Sequence, residues 1–324
     1  MVMRAKEVLA SSAIIMSVAL IFSLILNVSG YFPGDVLVPK IRSDITVFVL
    51  AVMMTVSLSR IPYRNLDPVK NVRSVTRAML LGLVVAAVIP LVGYFLMKDT
   101  SWGGYSAGLV FVAAAPFAAS VAPLSYILRG DMEHAARGTI LVYVASLLWI
   151  PFIIYITLGK TVDMTDVVIT VVEIIGAPLV FSRLLTKVKI ERTTMSIMMN
   201  LFISFLVILS VSSTNFPKEM APLLLFVLIA GLRTFALGSG VEYAEKKMGI
   251  GWHQRVTDVL MVSYRNKGIA IAMCAATMGP AVGIAMVAIA TSIVVEICWV
   301  IFMDSALFSK RRMRREIGSE VGDT

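Results

Sequence analysis

The stretch VTDVLMVSYRNKGIAIAMCAA, residues 256–276, is apolar on both sides of a polar centre, Ser263-Tyr264-Arg265-Asn266-Lys267-Gly268. It is long enough to cross a hydrocarbon core, which takes about 20 apolar residues. Each charge at the middle of such a span costs roughly 2.5–3.5 kcal/mol on the insertion scale, so Arg265 and Lys267 need partners or water. Both therefore mark a protein interior. One other reading stays open, in which the span ends at Tyr264 and the bases lie in a loop. That would leave Gly268 to Met303 to hold everything else and would move the basic tail across the membrane.

A second interrupted stretch lies earlier, GLVFVAAAPFAASVAPLSYILRGD at 108–131. Pro116 sits almost at its centre and Pro123 two turns on. Each proline removes a backbone donor and clashes with the preceding turn. The small residues Ala113, Ala114, Ala115, Ala118, Ala119 and Ser120 leave the backbone open to whatever lies beside it. By itself this reads equally as a proline kink with small-residue packing, common in membrane helices. Freed carbonyls and amides at such breaks are tolerated only where protein or a wet cavity receives them.

The rest of the chain supplies the setting. Of 324 residues, 58% are apolar and 15% charged, against roughly 45–50% and about 25% in soluble domains. Such a chain cannot cover its surface with polar groups, so part of its solvent is lipid. Ten runs with few charges read as membrane helices: 9–29, 44–59, 76–97, 104–128, 138–159, 164–184, 194–215, 220–241, 256–278 and 281–303. The first is too long for a signal peptide and no small-x-small cleavage site follows it, so it reads as a helix that stays. With ten spans, one face carries 21 of the 29 bases, the other carries Lys40, Arg42, Lys98, Lys160 and Lys218, and Arg233, Arg265 and Lys267 fall inside spans. Positive charge stays in the cytoplasm, so both termini are expected there, in a multi-pass protein of the cell membrane. The tail KRRMRR at 310–315 reads as a juxtamembrane cluster on anionic lipid rather than a nucleic-acid patch. Cys274 and Cys298 both lie in apolar runs, and with His134 and His253 the only histidines, neither a disulfide framework nor a structural zinc site is expected.

Ten spans divide into repeats at 1–160 and 161–304, with 305–324 a basic cytoplasmic tail. An odd number of spans per half makes the halves inverted. The expected fold is thus all-α, ten transmembrane helices in two inverted five-helix repeats, with broken helices four and nine crossing at the midplane. Many secondary transporters place discontinuous helices at corresponding positions in this way. The intramembrane ionisable groups Glu173, Arg233, Arg265, Lys267 and Glu296 all fall roughly 10–17 Å from the cytoplasmic face at 1.5 Å per residue. Three bases against two acids in one layer would leave one positive charge for an anion. A purely structural ion-pair cluster is the other reading.

At these residues the chain resembles the bile acid:sodium symporter superfamily, which includes an arsenite-efflux branch. Pro116 with its Ala-Ser-rich continuation and Tyr126-Ile-Leu-Arg-Gly-Asp131 is similar to that family's broken fourth helix and its cytoplasmic exit. Asn266-Lys-Gly-Ile-Ala-Ile-Ala272 resembles its ninth. Gly283 through Phe302, with Val294-Val-Glu296, and Gly130-Asp-Met-Glu133 are similar to the arsenite branch. The resemblance implies a core of spans three to five and eight to ten, a panel of the other four, and substrate in the crevice between. The departures are as informative. Positions that resemble sodium ligands in the family hold Met261 and Arg265 in the ninth helix, and Val121 and Ala122 in the fourth. A hard cation wants several oxygens. Where the arsenite branch has a cysteine this chain has Phe117, and where it has a glutamate this chain has Lys267.

The resulting expectation is a secondary transporter for a small anionic organic solute, working by alternating access and not needing bound sodium. An arsenite or oxyanion efflux carrier, or a channel or signalling protein on the same fold, is the alternative. An enzyme is not expected, because no Ser/His pair or H-E-x-x-H motif sits in a span. Pro116, Phe117, Ser120, Ser263, Arg265, Asn266 and Lys267 are the candidate solute residues; Glu173 and Glu296 are the candidate ion-coupling residues, read as the only buried carboxylates. No cofactor is expected, and sodium or a proton is left open as the coupling ion. Arg265 is expected to hold the broken helix's carbonyl ends and to reach Glu296, keeping Glu296 charged. Glu173 is then the better proton carrier, on the panel by resemblance. The partners expected are the solute and the lipid bilayer, with no nucleic acid and the oligomeric state left open.

Overall fold

A computed structural model describes residues 12–30, 39–59, 71–188, 191–212, 214 and 216–318. The start of the first expected span, the loop bases Arg4, Lys6, Arg60, Arg64, Lys70 and Lys189, and the end of the tail lie outside the described residues.

The architecture is all-helical: α1 Ser12–Ser29, α2 Pro39–Leu58, α3 Val72–Met97, α4 Gly103–Ala114, α5 Val121–Ile127, α6 Met132–Thr157 and α7 Met164–Phe181. There follow α8 Arg192–Val211, α9 Met220–Lys247, α10 Trp252–Ser263, α11 Lys267–Thr277, α12 Val282–Phe302 and α13 Lys310–Ile317. Among the described residues, five helical stretches are long and apolar enough to cross a membrane: α3, α6, α7, α9 and the stretch Gly279–Leu307 that contains α12. This is the fold of a multi-pass membrane protein. In lipid every backbone donor and acceptor must be paired within the protein, which a helix achieves along its own length. Large apolar side chains such as Leu96, Leu148, Phe152, Val180 and Leu184 point outward, as a lipid solvent allows.

The last apolar helix is the innermost. Some 72% of its apolar window is buried, against 33–44% in the other four long helices. It packs against α4, α9 and α11, while α1 lies on α8, and α2 lies on α7, α8 and α11. Close approach of α4 to α12 depends on Gly108, where a Cβ would run into the Ala285 carbonyl and the Ala288 methyl.

Where the sequence places its fourth and ninth spans, the chain forms two pairs of half-helices. Helix α4 ends at Ala114, Ala115 turns extended at φ −61 and ψ 138, and α5 resumes at Val121. Helix α10 ends at Ser263, Tyr264 is extended at φ −112 and ψ 97, and α11 resumes at Lys267. Two long helices also carry wide π-type turns beside these breaks, Leu80–Val85 in α3 and Leu232–Ala236 in α9. Such turns shift the ladder by one residue and are frequent at functional sites. The basic helix α13 is folded back onto the protein, with Met313 buried and Phe308 edge-on to Trp252 at 5.5 Å between ring centres.

Candidate functional site

The two extended segments meet each other. Phe117 and Arg265 form an antiparallel bridge. Ala118 N–H donates to the Tyr264 carbonyl at 3.0 Å, and Asn266 N–H to the Pro116 carbonyl at 2.8 Å. Backbone groups released by both breaks are thus paired with one another, as a dry interior requires.

Arg265 satisfies what remains. An intact helix would pair the Val112 carbonyl with the N–H of residue 116, but Pro116 has none. Arg265 Nε donates to that carbonyl at 3.2 Å, and its other nitrogens donate to the carbonyls of Ala113 and Gly82. The guanidinium is 1% exposed. It therefore sits at the C-terminal end of α4, where the aligned peptide dipoles carry about half a negative charge.

Arg233 does the same for the other half-helix. It donates to the Ser263 carbonyl at the end of α10 at 2.7 Å, and also to Ser292 and Glu296. Glu296, buried on α12, accepts from Arg233, from Lys267 Nζ at 2.6 Å and from the Arg265 backbone N–H at 3.3 Å. The Ser263 hydroxyl accepts from Trp299 Nε1 at 2.8 Å.

Asn266 caps α11 by accepting from the Ile269 N–H at 3.0 Å, and its amide donates to the Tyr143 hydroxyl at 2.6 Å. That hydroxyl donates to the Phe117 carbonyl at 3.0 Å. The Phe117 ring packs against Gly82, where a Cβ would collide with it. Ser120 hydrogen-bonds Tyr264.

The structure brings together Pro116, Phe117, Ser120, Ser263, Arg265, Asn266, Lys267 and Glu296, and it separates Glu173. Of the seven candidate solute residues, Ser120 and Lys267 are partly accessible, whereas Pro116, Phe117, Ser263, Arg265 and Asn266 are closed in. Three expectations about side chains are corrected. The Arg265 guanidinium holds α4 carbonyls as expected, but only its backbone N–H, and not its side chain, meets Glu296. Glu173 is not buried: it lies exposed on the π-type turn Val172–Gly176 of α7. Nor is Glu296 the only buried carboxylate, since Asp258, Glu242 and Glu245 are buried as well.

The charge at the crossing changes accordingly. With Glu173 outside, Arg233, Arg265 and Lys267 stand with one carboxylate among the described residues, Glu296, an excess of two positive charges. The C-terminal ends of α4 and α10 offset about half a charge each. Roughly one positive charge is left, and Lys267 is the base whose side chain is partly exposed, at 11%.

Sequence reasoning passed over Tyr143, Gly82 and the role of Arg233. Arg233 carried a signal, an unpaired base inside an apolar run; Tyr143 and Gly82 carried none. A shallow crevice, with room for about one water molecule, lies between α2, α8, α11 and α12, lined by Thr46, Ser210, Ile271 and Met286 among others, and none of the crossing residues lines it.

A comparison with curated proteins returns no match. The profile of the sodium bile acid symporter family matches residues 47–219, just over half of the chain, and includes the Pro116 break but not the break at Tyr264–Asn266. The chain therefore belongs to the sodium bile acid symporter family, a family of membrane transporters.

Proposed function

We propose that this protein is a secondary transporter of a small anionic organic solute, which binds where the two extended segments cross. The single observation that carries this reading is the surplus positive charge at the crossing, presented by the partly accessible Lys267. An anion entering there meets a cation already desolvated on one side, and the charge left over by the helix ends favours it.

The same reading takes the ten apolar stretches as ten spans in two inverted repeats, with both termini in the cytoplasm of a cell-membrane protein. Support comes from paired features: half-helices α4/α5 and α10/α11, and π-type turns in the helices before them, α3 and α9. Alternating access follows if the paired half-helices move as a unit against α1, α2, α7 and α8. Sodium has no part in it, because the Arg265 guanidinium permanently occupies the carbonyl ends that a bound cation would hold. Arginine stays charged at any accessible pH.

Counterflow of labelled solute in proteoliposomes tests the carrier reading, the solute being chosen by thermal stabilisation of the purified protein, since a ligand stabilises by its own binding free energy. Carrier action gives transient accumulation; simple equilibration points to a channel. Lys267→Met should weaken solute binding at least tenfold with the protein still folded. It is a cleaner test than Asn266→Ala, because Asn266 also caps α11 and loss of a cap costs about 1 kcal/mol in stability.

A further inference from the structure

The geometry points to a proton-binding site formed by Glu245 and Asp258 where α3, α6, α9 and α10 come together. This inference rests on the transporter reading and supplies its coupling ion, in place of the exposed Glu173.

Asp258 on α10 is fully buried, and Glu245 near the end of α9 is 4% exposed. Both carboxyl groups reach the one guanidinium of Arg77, Glu245 Oε1 at 2.6 Å and Asp258 Oδ2 at 2.7 Å, which sets them side by side. Each keeps one buried oxygen without a hydrogen-bond donor, Asp258 Oδ2 and Glu245 Oε2. Their other oxygens are satisfied: Asp258 Oδ1 by His134 Nε2 at 2.8 Å, and Glu245 Oε1 by Arg77 at 2.6 Å. Arg77 Nε comes within 2.7 Å of Asp258 Oδ2, but its N–H is misdirected, so neither atom gains a hydrogen bond.

The surrounding charges define how many protons belong there. From α3 comes Arg77. From α6 come His134 and Arg137, the latter donating to Ser74 at 3.1 Å and lying 3.9 Å from Glu133. From α10, Arg255 turns away to Glu242 and Glu316. In the proposed arrangement the Ser74 hydroxyl accepts from Arg137 and gives its own proton to His134 Nδ1, 2.6 Å away. His134 is then a neutral imidazole whose Nε2–H donates to Asp258. Among the described residues, that leaves two carboxylates against the one guanidinium of Arg77, with one negative charge uncompensated. Like carboxylates at such range do not both ionise. One proton from bulk water adds to a carboxylate oxygen, forms a single O–H bond and donates to the opposing oxygen. The charge closes and both orphan oxygens are satisfied. The partly exposed Arg77 side chain, at 22%, marks the way in.

The site has a mechanical link to the crossing. Asp258 precedes Ser263 by five residues on the same half-helix, and the Ser263 carbonyl is the one that Arg233 holds. Losing the proton sets the end of α9 and the body of α10 against each other, and α10 leads straight into the extended segment.

The test is infrared difference spectroscopy of the purified full-length protein between about pH 6 and about pH 9, a range in which exposed carboxyls, with pKa near 4, stay ionised. The wild type should show one protonated-carboxyl band per chain that titrates in this range. Glu245→Gln and Asp258→Asn, each checked for fold by gel filtration, should each lose it. A wild type with no titrating carboxyl band overturns the proposal whether or not the variants fold, and so does a band that survives undiminished in both. The measurement uses neither solute nor vesicles. A titrating band together with solute uptake that ignores a proton gradient would keep the site and refute its coupling role alone.

Discussion

Arg265 Nε lies 3.2 Å from the Val112 carbonyl, the acceptor that Pro116 leaves without a donor four residues on. The two breaks are therefore one device: the proline opens α4, and the arginine of the other break closes it. Removing the guanidinium orphans three buried carbonyls, each worth about 1–3 kcal/mol. Arg265→Ala should destabilise the purified protein by about 3 kcal/mol or more. Pro116→Ala restores an N–H at position 116, so Arg265→Ala should cost at least 1 kcal/mol less in that background. Thermal unfolding of the four proteins in the cycle checks this; strict additivity would show that the two residues act independently.

Glu296 is the carboxylate shared by Arg233, Lys267 and the Arg265 backbone. Breaking a buried ion pair by removing one partner costs about 3–5 kcal/mol. Glu296→Gln should therefore lower thermal stability strongly, and Glu296→Gln with Lys267→Met should recover part of the loss, because one fewer base is left unpaired. Thermal unfolding again decides, with no recovery in the double variant as the contrary result.

The C-terminal helix carries its own pH dependence. Burial pushes Glu316 up, but hydrogen bonds from Lys246, Arg255 and Arg312 outweigh it and bring its pKa down to about 2. A depressed carboxyl stabilises above its unfolded value and loses that contribution as pH falls toward its folded one. The docking of α13 should thus be constant at neutral pH and weaken from about pH 4.5 down to about pH 2. At neutral pH, Glu316→Gln should mimic the acid state, and trypsin should cut after Arg311, Arg314 or Arg315 severalfold faster than in the wild type. Unchanged cleavage would mean that α13 is held by Phe308 and Met313 alone.

Topology has an independent check. Arg315→Cys should resist a membrane-impermeant thiol reagent applied to intact cells and react once the membrane is opened. Labelling from outside would place the C-terminus on the other face and overturn the reading of the basic residues.

The two breaks were legible in the sequence because their causes are local: a proline and two bases in apolar runs declare themselves residue by residue. The partners were not. Depth follows from rise along a helix, and depth alone put Arg265 with Glu296 and brought Glu173 into the same layer. Which way a side chain faces depends on rotation about the helix axis and on which helices are neighbours. Glu173 faces outward on a π-type turn that no pattern announced. Asp258 was hidden in plain view inside the ninth apolar run, and Glu245 lies just beyond the eighth; what joins them is the packing of α9 on α10.

The most direct measurement of the central claim is uptake, into proteoliposomes at fixed pH, of the solute selected by thermal stabilisation, with all sodium replaced by choline. With the Arg265 guanidinium holding the carbonyl ends of α4, uptake should proceed at the same rate in choline as in sodium. A sharp loss of uptake in choline, restored by millimolar sodium, would contradict the account.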